Sequence, residues 1–337
     1  MKPTATSPTE HAVTVRAPAA TLLRLLTEVR RWPVLLEHVV YALPADAGAT
    51  PAGRARFWTR DGERVTRWDA RHDVTFDGLR IDFRYNPVPE PVLEPVPKPA
   101  PKPVPESPAV TAAPAPASGC WALEPLGPGT TRLTLRQDAA GPSPLGPDVL
   151  DALRRHGESL HGPDELVFTF QDTVRTDGSP EAAYEFLWKV QDWPGAVSHI
   201  ATVSLTQSAP GVQHVLSGVR AADGSVQDVP SVRLGLARDR VVYTPLTVPP
   251  FASAHLGEWI VGLDAKGTTT ITGRHTVALR ADRIAAAFGP AATPADARRR
   301  VRTALGAHSL ATLDAARAHA ETRTPATATP TAIGGSR

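Results

Sequence analysis

A chain of 337 residues, 42% hydrophobic and 21% charged, is long enough for two ordinary domains and apolar enough to bury a core in each. Its net charge of +2 comes without a basic, aromatic-interleaved stripe, which argues against nucleic acid; Arg298-Arg299-Arg300 reads as a solvated helix face. The single cysteine, Cys120, excludes an intramolecular disulfide or a cysteine-based zinc cluster and reads as a small buried residue. No apolar run is long enough to span a bilayer.

In chain order, residues 1–10 are polar and Pro/Thr-rich, lack the apolar core of a signal peptide, and are expected to be disordered in a cytoplasmic protein. A strand with alternating character follows at His11–Pro18. Leu22, Leu25, Leu26 and Val29 then keep helical spacing, and Trp32-Pro33 closes the helix because proline pushes the chain out of it. From Pro87 to Pro116, prolines occupy twelve of thirty positions. With no N–H to give a ladder, this segment is expected as an extended or disordered excursion between two strands. It is either a lid or docking arm, or a tolerated surface insertion. Gly119–Leu123 and Thr130–Leu135 read as a hairpin, and a short helix over roughly 147–160 closes the first half.

The same order then repeats. A strand at Val167–Val174 precedes helical spacing at Ala183, Phe186, Leu187 and Val190, closed by Trp193-Pro194. Gly257–Val261 and Gly267–Thr272 form a second hairpin. A long helix over roughly 294–321 starts at the Thr293-Pro294 cap signal and carries apolar Val301, Leu305, Leu310 and Leu313. Trp32 and Trp121 lie 89 positions apart, Trp193 and Trp259 only 66, so the proline segment is an addition to the first copy. The expected domains are 11–163, with the insertion at 87–116, and 164–322, followed by a disordered tail over 323–337. Strand, helix, several antiparallel strands and a closing helix make an α+β layer fold with room for a small-molecule cavity between sheet and helix.

Several groups of residues carry a resemblance. Asp192-Trp193-Pro194, Ser198-His199-Ile200, Ala222-Asp223-Gly224-Ser225, Ser231-Val232-Arg233, Val241-Val242-Tyr243, Ala254–Trp259, Arg274–Val277 and Arg302–Leu313 resemble, in order and spacing, the second domain of the di-domain aromatase/cyclases of bacterial type II polyketide synthases. The first half is similar in outline through Arg31-Trp32-Pro33 and Trp121–Gly127. The resemblance implies two tandem helix-grip (START/Bet v 1-like) domains, each a curved antiparallel sheet around a long C-terminal helix with an internal cavity. It implies a cofactor-independent polyketide cyclase/dehydratase that closes the first ring of a carrier-bound poly-β-ketone by an aldol step and aromatises it by losing water. Its partners would be an acyl-carrier-protein-bound substrate and polyketide synthase subunits, with no nucleic acid and no membrane, and the protein would be a monomer or a homodimer.

In single-domain relatives a Ser-x-Arg pair on a pocket-facing strand is implicated, and residues two apart on a strand share a face. By that likeness Ser231 orients a ketone or hydroxyl, Arg233 polarises a carbonyl, and His255 or His275 moves protons, histidine being the side chain that titrates near neutrality. Trp193, His199, Tyr243 and Trp259 are expected at the substrate, the two tryptophans as core and cavity wall, while His308 reads as structural. Counting from Trp68, the first half carries Ala70 and His72 where the second has the pair. Trp68 and His72 join the candidates there, although a surface histidine is the plainer reading of His72. Where relatives tend to show His-Thr-Thr, Arg-Leu-Pro-His and Lys-Gln, this chain has Gln227-Asp228-Val229, Ala196–His199 and Thr244-Pro245, which predicts a less polar pocket. There is no HExxH, phosphate loop, GxSxG elbow or dinucleotide fingerprint, hence no expected cofactor or metal. Two other readings remain open: a non-catalytic polyketide or lipid carrier using the same cavity, and a first half that is a degenerate dimerisation partner of an active second half.

Overall fold

The computed structural model describes residues 8–45, 53–88, 114–138, 144–159, 165–221 and 223–323. Most of the expected disordered N-terminus and tail, and most of the proline-rich segment, lie outside them; Thr9 and Glu10, expected in the disordered N-terminus, instead pair with Gln137 and Arg136 in the first sheet, and Arg323 ends the last helix.

Two seven-stranded antiparallel sheets follow each other along the chain. The first contains β1 (Thr9–Val15), β2 (Val39–Pro44), β3 (Gly53–Asp61), β4 (Arg64–Val74), β5 (Arg80–Val88), β6 (Ala117–Gly127) and β7 (Thr130–Gln137). The second contains β8 (Val167–Thr176), β9 (Ile200–Ala209), β10 (Val212–Arg220), β11 (Val226–Leu236), β12 (Arg240–Pro245), β13 (Ala252–Leu263) and β14 (Thr269–Leu279). Their strand orders are β1-β7-β6-β5-β4-β3-β2 and β8-β14-β13-β12-β11-β10-β9, the same topology twice, as the internal repeat predicts.

In the first half α1 (Ala19–Thr27) buries Leu22, Leu25 and Leu26, and α3 (Asp148–Gly157) closes the unit. This closing helix is short, as its own sequence predicts, rather than the long helix the resemblance implies. Trp32-Pro33 does not end a helix. It opens the four-residue α2 (Trp32–Leu35), where proline is tolerated because a first-turn N–H has no intrahelical partner to lose. The proline segment leaves from β5 and returns into β6, two paired strands, as expected for an excursion within the first sheet. Its boundary moves, because Pro87 and Val88 still belong to β5. There Pro87 pairs only with Trp68 of β4, and the β5–β6 ladder stops at Tyr85, so the missing N–H costs nothing.

In the second half α4 (Pro180–Trp188) starts on a Ser179 side-chain cap, and α5 (Ala281–Phe288) leads into α6 (Pro294–Arg323). Thr293 and Asp296 cap α6 reciprocally: Asp296 N–H donates to Thr293 Oγ1 at 3.2 Å and Thr293 N–H to Asp296 Oδ2 at 3.0 Å. Val301 and Leu313 of α6 are buried, but Leu310, expected on the apolar face, is 40% exposed.

The two halves share a core. Val34, Val40, Tyr41 and Trp58 of the first pack against Val232, Leu234, Val242 and Leu256 of the second. These are the side chains of β11–β13 that point away from the second unit's own interior, because alternate residues of a strand face opposite ways. Within this apolar seam lies a polar clasp. Tyr41 Oη donates to Glu258 Oε1 at 2.8 Å, Arg240 Nη1 donates to Tyr41 Oη at 2.9 Å and reaches Glu258 Oε1 at 3.3 Å, and Thr244 Oγ1 donates to the Val40 carbonyl at 2.9 Å.

Candidate functional site

The sheet registers align the two copies residue by residue. In the first, His72 pairs with Gly53 and Phe83, Ala70 with Ala55 and Tyr85, and Trp68 with Phe57. In the second, Arg233 pairs with Gln213 and Tyr243, Ser231 with Val215 and Pro245, and Val229 with Ser217. Ala70 and His72 therefore do occupy the positions of Ser231 and Arg233.

The same alignment shows why the interiors differ. Phe57 and Trp68 stack at 6.2 Å and fill the space that Ser217 and Val229 leave open in the second copy. Trp68, expected at a ligand, is core packing whose indole N–H donates to Thr59 Oγ1 at 2.8 Å. His72 is not a surface histidine: it is 4% exposed, Nε2 sits 3.2 Å from Tyr85 Oη, and burial pushes its pKa down to about 4. It lines a 390 Å³ cleft between α1 and β3, apart from the other candidates.

The second half encloses a cavity of about 610 Å³ whose wall includes Trp193, His199, Ser231, Arg233, Tyr243, His255, Trp259 and His275, eight of the ten residues singled out by sequence. Arg233 is 2% exposed. Its Nη1 donates to Gln213 Oε1 at 2.8 Å and to the Trp188 carbonyl at 3.3 Å, and Nη2 donates to the Leu187 carbonyl. Those carbonyls end α4, the negative pole of the helix, so a buried cation is held by backbone dipoles and an amide. Burial draws its pKa down to about 9, which still leaves it charged at neutral pH. The guanidinium lies 5.3 Å from the Trp193 ring centroid and 5.7 Å from that of Trp259, cation–π contacts strengthened by desolvation. Ser231 Oγ makes only a long 3.5 Å contact to the Val215 carbonyl.

Beside the arginine, Tyr243 stacks on Trp259 at 4.1 Å and begins a hydrogen-bonded chain. Tyr243 Oη is 3.3 Å from His275 Nδ1, and His255 Nε2 is 3.1 Å from the same nitrogen. Burial lowers the pKa of His275 to about 4; burial and then the neighbouring imidazole lower that of His255 to about 3. Both rings are neutral near pH 7, each with one donor and one acceptor nitrogen.

At the opposite wall His199 stacks on His308 at 4.4 Å. His308, expected to be structural, faces the cavity with Leu305, Ser309 and Thr312 of α6. Sequence reasoning missed these polar residues although a signal was there: positions 305, 308, 309 and 312 have i, i+3, i+4, i+7 spacing and form one stripe on a helix whose other inward residues are apolar. The pocket is also less stripped of polar groups than expected, because Gln227 and Asp228 stand at its mouth. Of the predicted departures, Thr244 faces the interdomain seam and Pro245 the cavity. Among the described residues no three His, Cys, Asp or Glu side chains gather as a metal site, and no helix is long and apolar enough to cross a membrane.

Fold and site together define a tandem α+β helix-grip protein with a polar-floored small-molecule cavity in its second copy. No protein-family profile matches the chain. It is 31% identical over 325 residues to the actinorhodin polyketide synthase bifunctional cyclase/dehydratase of Streptomyces coelicolor, covering 90% of this chain and 93% of that one. It is 32% identical over 320 residues to the granaticin polyketide synthase bifunctional cyclase/dehydratase of Streptomyces violaceoruber, covering 90% and 91%. Among solved structures it resembles the di-domain ARO/CYC BexL of the BE-7585A biosynthetic pathway, with a TM-score of 0.75, 31% identity and coverage of 95% and 100%. It also resembles the di-domain ARO/CYC StfQ of the steffimycin pathway, with a TM-score of 0.77, 25% identity and coverage of 94% and 99%. The chain belongs to the family of bifunctional polyketide cyclase/dehydratases, the di-domain aromatase/cyclases.

Proposed function

We propose that the cavity of the second half takes a poly-β-ketone delivered on an acyl carrier protein, closes its first ring by an intramolecular aldol addition, and expels water to make that ring aromatic. The observation that carries this reading is the buried Arg233. Its Nη1 and Nη2 donate to Gln213, Trp188 and Leu187, while Nε–H, on the guanidinium edge it shares with Nη2, has no partner among the described residues. That edge suits a ketone oxygen as it gains negative charge, when an enolate forms at a neighbouring methylene or an alkoxide forms at the attacked carbonyl. Charge that develops beside a fixed, dry cation is stabilised without solvent reorganisation.

Ser231, two residues away on the same face, orients the ketone or the new hydroxyl. Tyr243, His275 and His255 move the proton from carbon to oxygen. Trp193 and Trp259 wall the chain into one folded conformation, and proximity then decides which carbons join. His199 lines the substrate's other side. A cavity of 610 Å³ is within the usual range of about 300–1,000 Å³ for small-molecule sites.

On this reading residues 164–322 form the catalytic domain, and residues 11–163, whose interior is narrowed by Phe57 and Trp68 and keeps a 390 Å³ cleft, a supporting one in which His72 and Trp68 do not meet the substrate. The protein works in the cytoplasm beside the synthase subunits, as a monomer or homodimer, without a cofactor.

The test is product analysis in a reconstituted minimal polyketide synthase with carrier protein, comparing no addition, the wild type and Arg233→Ala. Redirection of shunt products to one aromatic ring by the wild type, and its loss in a folded Arg233→Ala protein, is the expected outcome. A wild type that leaves the mixture unchanged while binding aromatic polyketides tightly overturns the enzyme reading in favour of a carrier.

A further inference from the structure

Two buried polar atoms in the cavity wall have no hydrogen-bond partner among the described residues and lie near the same point: His275 Nε2 and Ser309 Oγ. Both residues are 3% exposed, and both line the cavity. Both lie beside Gly273, two residues before His275 on β14 and packed against Ser309 of α6. A Cβ on Gly273 would lie 2.4 Å from Ser309 Oγ and 3.8 Å from His275 Nε2, with Leu313 Cδ1 at 3.7 Å as the apolar back wall. Gly273 has no need of glycine's conformational freedom, since its φ is not positive; its missing side chain lets Ser309 of α6 come close to β14, beside His275. Burying a hydroxyl and an imidazole nitrogen unpaired is unfavourable, a cost that a ligand atom bridging both would recover.

We infer that His275 and Ser309 form a hydroxyl-binding subsite around Gly273, and that in the proposed reaction it holds the hydroxyl lost on dehydration. The second clause rests on the aldol–dehydration reading above; the first does not. One oxygen can accept from His275 Nε2–H while exchanging a hydrogen bond with Ser309 Oγ, the two partners a hydroxyl can satisfy at once.

The chemistry balances without charging the imidazole. The cyclised aldol has a hydroxyl on one ring carbon and a hydrogen on the next, beside a carbonyl. Loss of that hydrogen as a proton leaves its electron pair to form the C=C bond, while the C–O bond breaks and its pair stays on oxygen. His275 Nε2–H gives its proton to that oxygen, and water leaves. Its Nδ1 accepts a proton in the same event from Tyr243 Oη, which takes up the proton lost from carbon, so the imidazole changes tautomer and both groups end neutral. The low basicity that burial imposes on His275 fits this role.

The test separates the two clauses. Binding of 1-naphthol and of naphthalene to the full chain is measured by titration calorimetry for the wild type, Ser309→Ala and Gly273→Ala. The expected result is a preference of about tenfold for 1-naphthol in the wild type, equivalent to about 1.4 kcal/mol. It should fall to less than about threefold in Ser309→Ala while naphthalene binds as before. Gly273→Ala, whose added methyl occupies the subsite, should lose the preference too. No hydroxyl preference in the wild type, or one unchanged in Ser309→Ala, overturns the subsite. In the reconstituted synthase, Ser309→Ala should raise the ratio of ring-closed product that keeps the elements of water to aromatic product about tenfold. An unchanged ratio, with the naphthol preference lost, removes the dehydration role alone. A wild type that does not alter the polyketide mixture, yet prefers 1-naphthol, defeats the proposed function and leaves the subsite standing.

Discussion

Replacing Tyr41 with phenylalanine removes one oxygen atom from the seam between the two halves. The ring stays packed against Trp58, with centroids 5.8 Å apart, so apolar burial hardly changes. What is lost is the 2.8 Å bond to Glu258 Oε1 and the acceptor for Arg240 Nη1 at 2.9 Å. Tyr41 is 2% and Glu258 6% exposed, so water cannot replace the missing donor; Arg240 at 3.3 Å remains as partial compensation. A hydrogen bond to a buried charged group contributes about 1.5–3 kcal/mol, so a loss of about 2 kcal/mol is expected for Tyr41→Phe. Equilibrium urea denaturation of the wild type, Tyr41→Phe, Glu258→Gln and the double variant gives the coupling directly, and it should exceed about 1 kcal/mol. Glu258 lies on β13 between Gly257 and Trp259, so the single variants should also weaken ligand binding in the cavity behind it. A Tyr41→Phe protein within about 0.5 kcal/mol of the wild type, or strict additivity with Glu258→Gln, would show that the clasp is a surface-like contact and refute this account of the seam.

Two further outcomes follow from the packing and titration of the site. Unfolded imidazoles take up protons near pH 6.5, whereas His72, His199 and His275 resist until about 4 and His255 until about 3. Between those values the unfolded chain binds more protons, so stability is held above about pH 6.5 and falls as the pH drops toward 4. Since one pKa unit corresponds to about 1.4 kcal/mol, His72→Gln should remove up to about 2 kcal/mol of the loss between pH 7 and 5; an unaltered pH profile would mean that His72 titrates normally. A Cβ on Gly257 would lie 2.0 Å from two ring carbons of Tyr243, so Gly257→Ala should cost about 1–3 kcal/mol by overpacking and unhook Tyr243 from His275. Unchanged ligand affinity in Gly257→Ala would separate Tyr243 from the site.

Much of the fold was legible because repetition is a property of the sequence itself. Two Trp-Pro pairs, two Gly-opened hairpins and two closing helices of different length appear in the chain in the order in which the sheets use them. The Ser-x-Arg pair and its degenerate counterpart at Ala70 and His72 could likewise be placed by counting, because a strand's period of two is fixed by its pleat. The Trp-Pro pairs misled: Trp32-Pro33 opens α2, and α4 already ends at Trp188, ahead of a 3-10 turn at Val190–Asp192 that leads into Trp193-Pro194.

The site was half legible for a different reason. Residues on one strand share a face by local geometry, but convergence from several elements is a tertiary fact. The sequence by itself determined the repeat, the hairpins, the inward face of β11 and the surplus in the first copy. Only the tertiary structure decided that Phe57 and Trp68 narrow one interior while Ser217 and Val229 open the other. It also decided that the α4 carbonyls cradle Arg233, and that the α6 stripe of His308, Ser309 and Thr312 faces the histidines of β13 and β14. Those outcomes depend on how a curved sheet meets a helix far away in the chain, where side-chain volume and unpaired polar groups are matched across space rather than along the sequence.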